Sequence, residues 1–439
     1  MKASAETIAR KLHEAGYEAL FAGGCVRDLL LGKEPKDYDI ATNAEPAQVL
    51  EIFPKGDSIG AHFGVILVKE NGHHFEIATF RMDGDYSDGR RPDTVTFTSA
   101  KEDAKRRDFT VNGMFSNPIS NDVIDYVGGK EDLESRTIRC IGDPLQRFEE
   151  DYLRLLRAIR FATVLDFQIE ENTWEAIQKV APKISRISPE RVRDELDKIW
   201  LSPNRVKGFD LLVDSGLMAE LIPELLDLRG CEQPPQWHPE GDVYVHTRIM
   251  LGLLQAEASL PLILSVLFHD IGKPATFTID EEAGGRIRFN GHDKLGAEMT
   301  ESILKRFKYS NAVIDAAVTG VDRHMMFKDV KKMKVSKLKR FMASEVFDDE
   351  LELHRVDCTS SSGMLDNYEF VKDKQEEFAN EPIIPPSFIN GKDLIDRDLE
   401  PGPRFKEILT SAQDMQLEGT HTSREDALVW LDEFLRNQV

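Results

Sequence analysis

Apolar residues follow two different periods along the chain, and these periods divide it into two kinds of structure. Within residues 65–68 and 74–79, apolar and polar residues alternate and β-branched side chains are frequent, which predicts strands. Residues 1–16, and the chain beyond about residue 141, repeat apolar side chains every three or four positions, which predicts helices. We therefore expect an α+β fold, with a small mixed sheet near the N-terminus followed by helical segments.

The length of 439 residues exceeds what one compact core holds and indicates several domains. The pattern suggests a head over residues 1–140, an all-helical neck over 141–225, a helical body over 226–375 and a helical tail over 376–439. Residues 147–161 are expected to form one helix with an apolar stripe. Residues 81–92 are rich in Gly, Asp and Arg without any period, which is typical of a mobile loop.

Composition favours an ordinary soluble protein, because 41% of residues are hydrophobic and 31% are charged. The longest apolar run, 260–268, is shorter than the roughly 18 residues of a membrane span, and the N-terminus lacks the apolar core of a signal peptide. We therefore expect a cytoplasmic location. Four cysteines stand apart without C-x-x-C spacing, which argues against a zinc ribbon or a disulfide framework.

The stretch of residues 21–42, FAGGCVRDLLLGKEPKDYDIAT, combines a phosphate-binding pattern with two carboxylates. Gly23 and Gly24 predict a tight turn between a strand and a helix, where backbone amides can meet an anion, and Arg27 adds a cation nearby. Asp37 and Asp39 are two apart on a predicted strand, so both face the same side and can reach one pair of divalent ions. A D-x-D on an exposed loop is the alternative, but the combination favours a nucleotide site.

Two further groups extend this pattern. Glu76 lies on a predicted strand and is a candidate third carboxylate, although an outward-facing glutamate is nearly as good an interpretation. Arg106 and Arg107 are adjacent guanidiniums, which are costly to hold together unless an anion lies between them, so we expect a triphosphate there.

These residues resemble the signature of the class II tRNA nucleotidyltransferase and bacterial poly(A) polymerase family. The resemblance rests on GGCVRDLLLG, on KDYDIAT and on RRDFTVNG, where the family often has Asn-Ala in place of Asn112-Gly113. It implies a polymerase-β-like head that uses Mg²⁺ held by Asp37 and Asp39, with tRNA, CTP and ATP as partners. The nucleotide-binding residues that it implies are Gly23, Gly24, Arg27, Arg106, Arg107, Asp108, Asn112, Asp151, Arg154 and Arg157.

The family's nucleotide-selecting motif is similar to Glu150-Asp151-x-x-Arg154 in this sequence. On one helix face, Asp151 and Arg154 would be neighbours, and a carboxylate beside a guanidinium can read the base edge of C or A. An ordinary intrahelical ion pair would be the default for this spacing in isolation. SPERVRDEL resembles the family's last motif, and Arg191 and Arg193 within it, with Lys331, Lys332 and Lys334 in the basic run 328–340, are candidate RNA contacts.

A second set of residues resembles an HD-type metal-dependent phosphohydrolase domain. The residues that carry this resemblance, and that would hold a divalent transition metal, are His246, His269, Asp270, His292, His324 and Asp357. Histidines on an apolar helix usually have a structural role, but six positions in the family's order favour a metal site. A hydrolase activity and a purely structural metal site both stay open.

The expected function is therefore untemplated addition of CCA to the 3′ end of tRNA, with release of pyrophosphate. The net charge of −22 means that RNA binding would depend on local basic surface. Alternatives are an A-adding or CC-adding enzyme of a split pathway, a poly(A) polymerase, or an HD phosphohydrolase with an inactive head. The tail lacks the long basic extension typical of the bacterial poly(A) polymerases, and the paired aspartates argue against an inactive head and against a non-catalytic RNA-binding protein.

Overall fold

A computed structural model describes residues 1–58, 60–84, 94–282, 284–379 and 382–437. The chain divides into two compact units, Met1–Leu226 and Asp227–Val439. The first unit contains the mixed sheet and the second is almost entirely helical, so the predicted α+β fold is confirmed.

The first unit is built on a six-stranded sheet in the order β3-β4-β2-β1-β7-β8. Its central strand β1 is buried at all four positions, and it pairs antiparallel with β2 and with β7. Strands β2 and β4 run parallel, so their corresponding ends lie at the same edge of the sheet. Ten strands occur in the part of this unit that the structure describes: β1 Ala19–Ala22, β2 Asp39–Thr42, β3 Val65–Glu70, β4 His73–Thr79, β5 Arg81–Asp83, β6 Val95–Phe97, β7 Phe115–Ser116, β8 Val123–Ile124, β9 Thr137–Ile138 and β10 Gln168–Ile169.

Eleven α-helices among the described residues surround and follow this sheet. Phe80 and Phe115 pack edge to face beneath it, with ring centroids 5.8 Å apart, and close the core on that side. The helices are α1 Lys2–Glu14, α2 Gly24–Leu30, α3 Pro46–Ile52, α4 Ala100–Lys105, α5 Gly129–Glu134, α6 Pro144–Glu150, α7 Leu153–Leu165, α8 Glu171–Val180, α9 Pro189–Trp200, α10 Arg205–Asp214 and α11 Leu217–Leu221.

Three sequence predictions for this unit need correction. Residues 147–161 do not form one helix, because Asp151 adopts an extended conformation between α6 and α7. The region 81–92 is not a loop throughout, since β5 pairs with β6, and its remaining residues 85–93 lie outside the described residues. The region 141–225 is not purely helical, because β10 pairs in parallel with β9.

Among its described residues, the second unit contains eleven further α-helices, two strands and the 3-10 helix His324–Lys332. The prediction that this region is entirely helical is wrong for residues 278–288, where β11 and β12 form an antiparallel hairpin. Among the described residues, no helix is both long and apolar enough to cross a membrane. The elements are α12 Val243–Leu253, α13 Leu260–Phe268, α14 Lys273–Thr276, β11 Thr278–Asp280, β12 Arg286–Arg288, α15 His292–Arg306, α16 Asn311–Arg323, α17 Val335–Met342, α18 Phe347–Ser360, α19 Asp366–Phe378, α20 Gly391–Ile395, α21 Pro403–Leu417 and α22 Arg424–Arg436.

Candidate functional site

A polar cleft of about 470 Å³ in the first unit collects most of the predicted site residues. It is formed by the β1–α2 turn, the segment before β2, the residues after α4, the α6–α7 junction and α9. Its lining residues are Gly23, Gly24, Arg27, Asp37, Asp39, Arg106, Arg107, Asp108, Asn112, Asp151, Leu153, Arg154, Arg157, Arg160, Phe161 and Arg191.

Two carboxylates, Asp37 and Asp39, line one part of the cleft, and Glu76 lies on the strand beside Asp39. Asp39 begins β2, and the parallel register of Ile40 with Ile77 places Asp39 beside Glu76 of β4. Asp37 precedes the strand rather than lying on it, which corrects the prediction that one strand carries both aspartates. Burial, and then the charges of Asp37 and Glu76, raise the pKa of Asp39 to about 6.

The electrostatic effect of Asp37 and Glu76 on Asp39 makes the three carboxylates candidate ligands for a divalent cation. The carboxylate oxygens are the hard ligands that Mg²⁺ prefers, and a bound cation would relieve the repulsion that raises the pKa of Asp39. Asp37, Asp39 and Glu76 are therefore the residues that fit this ion.

The β1–α2 turn brings backbone and a cation to the cleft. Gly23 has a φ of 72°, which favours glycine, and a Cβ there would stand 3.0 Å from Nη1 of Arg107. Arg27 is buried and donates from Nη1 to Oδ1 of Asn112 at 2.6 Å, so its guanidinium is fixed before any ligand binds. The turn thus places the guanidiniums of Arg27 and Arg107 beside the N-terminus of α2.

The adjacent guanidiniums of Arg106 and Arg107 share an anion from the chain itself. Asp103 is 1% exposed, and its carboxylate lies 2.7 Å from Nη2 of Arg106 and 3.0 Å from Nη2 of Arg107. The anion that the sequence argument requires between the two arginines is therefore supplied by the Asp103 carboxylate of the chain itself. One net positive charge is left to the pair.

Asp108, Asn112 and Arg157 form a rigid wall of the cleft. Asp108 accepts from Nε of Arg157 at 2.8 Å and from Nδ2 of Asn112 at 3.2 Å. Burial raises the pKa of Asp108, but the charge of Arg157 outweighs it and holds this pKa at about 2. Asp108 is therefore ionised and orients side chains rather than exchanging protons near neutral pH.

Asp151 and Arg154 both reach the cleft, but they do not pair with each other as a helical spacing would suggest. Oδ2 of Asp151 lies 2.8 Å from Nη2 of Arg191, and its Oδ1 accepts from the Leu153 amide at 3.0 Å. Arg154 donates instead to Oε2 of Glu150 at 2.6 Å. The break between α6 and α7 therefore presents the two side chains separately, each held by its own partner.

Sequence reasoning missed four side chains of this region. Arg160 stacks on Phe161, with 3.9 Å between guanidinium carbon and ring centroid, and lies 2.6 Å from Glu195. Arg160 and Phe161 follow Arg157 by three and four positions on α7, so helical spacing would have identified them. Leu153 lines the cleft, whereas Asp103 lies behind it with no sequence signal beyond its spacing from the arginine pair. Of the predicted RNA contacts, Arg191 lies in the cleft, while Arg193 pairs with Asp194 at 2.9 Å outside it.

The second unit brings together all six residues that the sequence predicts for a metal site. His246, His269 and Asp357 form one group, and Asp270, His292 and His324 form another, each with ligand atoms within 4.8 Å of one another. Asp270 links the two groups, since its Oδ2 lies 3.1 Å from Nε2 of His269 and its Oδ1 lies 3.4 Å from Nε2 of His292.

The orientation of the imidazoles fits a bound cation. His269, His292 and His324 each place Nδ1 within 2.6 to 2.9 Å of a backbone carbonyl, so Nδ1 carries the proton and Nε2 keeps its lone pair. Nε2 of His292 and Nε2 of His324 are only 3.1 Å apart. Two facing lone pairs repel unless a cation lies between them, and imidazoles with carboxylates suit a divalent transition metal.

Glu240 supports this cluster and was not predicted from sequence. It is held in the segment before α12, and its Oε1 lies 2.7 Å from Nδ1 of His246 and 2.9 Å from Nδ1 of His238. A carboxylate on the outer nitrogen fixes the orientation of a ligating histidine. Lys273, also missed, lies 2.5 Å from Oδ2 of Asp270 and donates to Gln233.

A cavity of about 470 Å³ opens onto the cluster. Asp270, His292, His324 and Asp357 line its base, and Arg286 and Phe289 reach it from the unpredicted β11–β12 hairpin and the residue beyond it. The cluster of histidine and aspartate side chains is therefore accessible to a small ligand rather than enclosed by the helices.

Comparison with protein-family models matches three parts of the chain. Residues 19–139 match the poly A polymerase head domain, and residues 166–228 match the probable RNA and SrmB-binding site of polymerase A. Residues 243–353 match the HD domain. The cleft residues up to Asn112 lie in the first match, residues 151–161 lie between the first and second matches, and Arg191 lies in the second. Five of the six candidate metal ligands lie in the third match, and Asp357 lies just beyond it.

Curated relatives and solved structures point the same way. A CCA-adding enzyme of Geobacillus kaustophilus is 45% identical over 215 residues, which cover 49% of this chain and 53% of that protein. One from Limosilactobacillus reuteri is 40% identical, over 57% of this chain and 62% of that protein. The matched part thus spans little more than half of these relatives. The crystal structure of Bacillus stearothermophilus CCA-adding enzyme in complex with CTP is 28% identical, covers 99% of this chain and 98% of its own, and has a TM-score of 0.76.

Proposed function

We propose that this chain, which matches family models for a poly A polymerase head domain, a probable RNA-binding site and an HD domain, adds CCA to the 3′ end of tRNA from CTP and ATP. The observation that carries the proposal is that one cleft is lined by Asp37 and Asp39, by Asp151 and Arg154, and by the arginines Arg27, Arg106, Arg107 and Arg157. The names of the relatives support the choice of substrate. The cytoplasm, where tRNA matures, is the expected location. The division of the chain into head, neck, body and tail also remains a proposal.

The reaction joins the terminal hydroxyl of tRNA to the α-phosphate of a nucleotide. A new P–O bond forms, the bond to the β-phosphate breaks, pyrophosphate leaves and the hydroxyl proton passes to solvent. Asp37, Asp39 and Glu76 would hold Mg²⁺, which when bound would supply Lewis-acid activation of the hydroxyl and neutralise charge on the leaving group. Arg27, Arg106 and Arg107 bind the triphosphate, as the fixed guanidiniums around the Gly23 turn allow.

Base selection is assigned to Asp151 and Arg154. Each oxygen of Asp151 has a second lone pair beyond its contact with Arg191 or Leu153, and so can accept from the exocyclic amino group of C or A. Arg154 can donate to the ring acceptor of the same base. U and G present an acceptor where Asp151 requires a donor, which leaves polar groups unsatisfied.

The test is incorporation on tRNAs that end before CCA, after C and after CC, each with CTP, ATP or both, resolved at single-nucleotide length. We expect three added residues on the first substrate, and none when both nucleotides are withheld. A long A tail would indicate a poly(A) polymerase, and a single partial step would indicate an A-adding or CC-adding enzyme. The region between β5 and β6 that the family resemblance links to the switch from C to A includes residues 85–93, outside the described residues.

We also propose a metal-dependent phosphohydrolase site in the HD domain. The facing lone pairs of His292 and His324, and the open cavity above them, favour a functional metal over a purely structural one. The metal would activate water at the cluster when bound. Asp270 and Asp357 supply the negative charge for this cation, while Glu240 orients His246.

Replacing Glu240 by glutamine is expected to weaken binding of Mn²⁺ or Ni²⁺ to the second unit by about 10- to 100-fold, because His246 loses the carboxylate that orients it. Isothermal titration calorimetry on the full chain measures this effect. The matched control is Glu232→Gln, in the same segment, which we expect to bind metal like the original chain. Unchanged metal affinity in Glu240→Gln would contradict the role of Glu240 in orienting His246.

The exposed lysines 331, 332 and 334 lie in and beside the 3-10 helix His324–Lys332 and are proposed to contact tRNA phosphates. Replacing all three by alanine should weaken tRNA binding and reduce the slope of log K against log salt concentration by about 2 to 3, at roughly 0.7–0.9 per contact. Filter binding from low to high salt tests this prediction. Lys305→Ala, an exposed lysine on α15, is the control, and an unchanged slope in the triple variant would exclude these contacts.

A further inference from the structure

Asp103 is a buried carboxylate that holds three parts of the head together. Its Oδ1 lies 2.7 Å from Nη2 of Arg106 and accepts from the Arg81 amide at 3.2 Å, while its Oδ2 lies 3.0 Å from Nη2 of Arg107. Asp103 does not itself line the cleft. It therefore touches the cleft only through the two arginines that line it.

We propose that Asp103 is a positioning residue for triphosphate binding, which sets the direction of the Arg106 and Arg107 guanidiniums toward the cleft. This inference rests on the proposed nucleotidyltransferase function of the same site. Asp103 lies outside the RRDFTVNG motif and does not line the cleft, so neither of these features gives it a role.

The geometry of the two guanidiniums supports this role. Asp103 occupies the Nε and Nη2 edge of both arginines, with Nε at 2.8 Å for Arg106 and 3.2 Å for Arg107. A guanidinium has five N–H donors in one plane, so fixing that edge directs the remaining Nη1 donors. Nη1 of Arg107 consequently lies against the Gly23 turn, where a Cβ would be 3.0 Å away.

The same carboxylate connects the pair to the β5–β6 hairpin. Arg81 opens β5, and its side chain lies 2.9 Å from Asp83, whose second oxygen is 3.7 Å from Nη1 of Arg106. Asp103 accepts from the backbone amide of the same Arg81. The base of the hairpin and the arginine pair therefore share one hydrogen-bond network, in which a shift of either displaces the other.

Two opposite outcomes separate positioning from simple charge. Asp103→Asn removes a negative charge behind the cleft, so if the net charge alone mattered, triphosphates would bind more tightly. If Asp103 acts by positioning, the guanidiniums lose their shared ionic partner, repel each other and turn away, and triphosphates bind less tightly.

The experiment measures steady-state incorporation by the full chain on tRNA lacking CCA, with CTP and ATP varied separately. We expect Asp103→Asn to raise KM for both nucleotides about 10-fold with kcat nearly unchanged, because the same contact acts in the ground and transition states. Preference for C and A over U and G should stay the same. An unchanged or lower KM, or a loss confined to kcat, overturns the inference.

Controls separate this inference from folding defects and from the proposed function. Asp132→Asn is the matched control, since Asp132 is also buried and ion-paired, to Arg139 at 3.1 Å, and does not line the cleft. If Asp103→Asn does not fold, Asp103→Glu keeps the charge but displaces it by one methylene and should raise KM several-fold, and an unchanged KM there refutes positioning. Absence of incorporation by the original chain would instead refute the proposed function.

A double-mutant cycle identifies the route. In an Arg107→Ala background, Asp103→Asn should raise KM much less than in the original chain, because one of its two targets is gone. Full additivity of the two effects would show that Asp103 acts independently of Arg107, and would overturn this assignment.

Discussion

Replacing Asp39 by alanine is expected to reduce nucleotide incorporation by at least about 10³-fold while leaving tRNA binding within a factor of about two. Asp39 is two residues after Asp37 in the chain and lies beside Glu76 through the β2–β4 register, and both carboxylates act on its charge. Without it, only Asp37 and Glu76 remain as carboxylate ligands for the proposed Mg²⁺ site. Incorporation of radiolabelled CTP, together with filter binding of tRNA, measures both quantities.

The control for Asp39→Ala is Asp122→Ala, which removes an exposed aspartate of the same unit whose side chain accepts from Ser120. We expect it to incorporate like the original chain. Retention of incorporation by Asp39→Ala in Mg²⁺ would contradict the assignment of the cluster. Loss of incorporation together with loss of tRNA binding would indicate a folding defect, which the thermal unfolding midpoint would reveal.

The sequence motif identifies these residues because their chemistry is local. Gly23 needs a positive φ, and Asp37 and Asp39 are two apart at the start of a strand, so the turn and the carboxylates follow from neighbours in the chain. Glu76 was left open because its proximity depends on the parallel pairing of β2 with β4, a contact between segments 37 residues apart. Periodicity predicts each strand but not which strands become neighbours.

Other features depended on contacts that no period contains. The pattern over residues 147–161 is helical throughout, yet Asp151 breaks the helix, and its carboxylate pairs with Arg191 from α9. Apolar spacing is nearly indifferent to such a break, because α7 alone keeps the buried stripe. The ionic partner from α9 helps to hold Asp151 in place, and a helical spacing gives no information about it.

Asp103 and Glu240 were missed for a related reason. Each acts on residues that the motifs identify, Asp103 on an arginine pair and Glu240 on His246, from a position behind them. A lone buried aspartate or glutamate has no spacing of its own in a sequence. The expectation that two adjacent arginines need an anion was physically sound, but it could not tell a substrate phosphate from a carboxylate of the chain.

The position of Asp151 at the α6–α7 junction leads to a prediction about base selection. Asp151→Ala is expected to reduce the preference for CTP and ATP over UTP and GTP by about 5- to 150-fold, because the site loses the acceptor that U and G cannot satisfy. The change should come mainly from faster use of the wrong bases, which no longer meet a carboxylate. Single-nucleotide incorporation with each of the four triphosphates measures kcat/KM for every base.

Variants of Arg191 and Asp194 show whether a loss of base selectivity is due to the Asp151 side chain itself. Asp194→Ala removes a neighbouring exposed carboxylate of α9 that pairs with Arg193, and should leave selectivity unchanged. Arg191→Ala removes the partner that holds Asp151, and should relax selectivity less than Asp151→Ala, because the carboxylate can still reach the base. Equal relaxation in both variants would mean that selection depends on the ion pair as a unit. Unchanged selectivity in Asp151→Ala would contradict the assignment of base reading to this side chain.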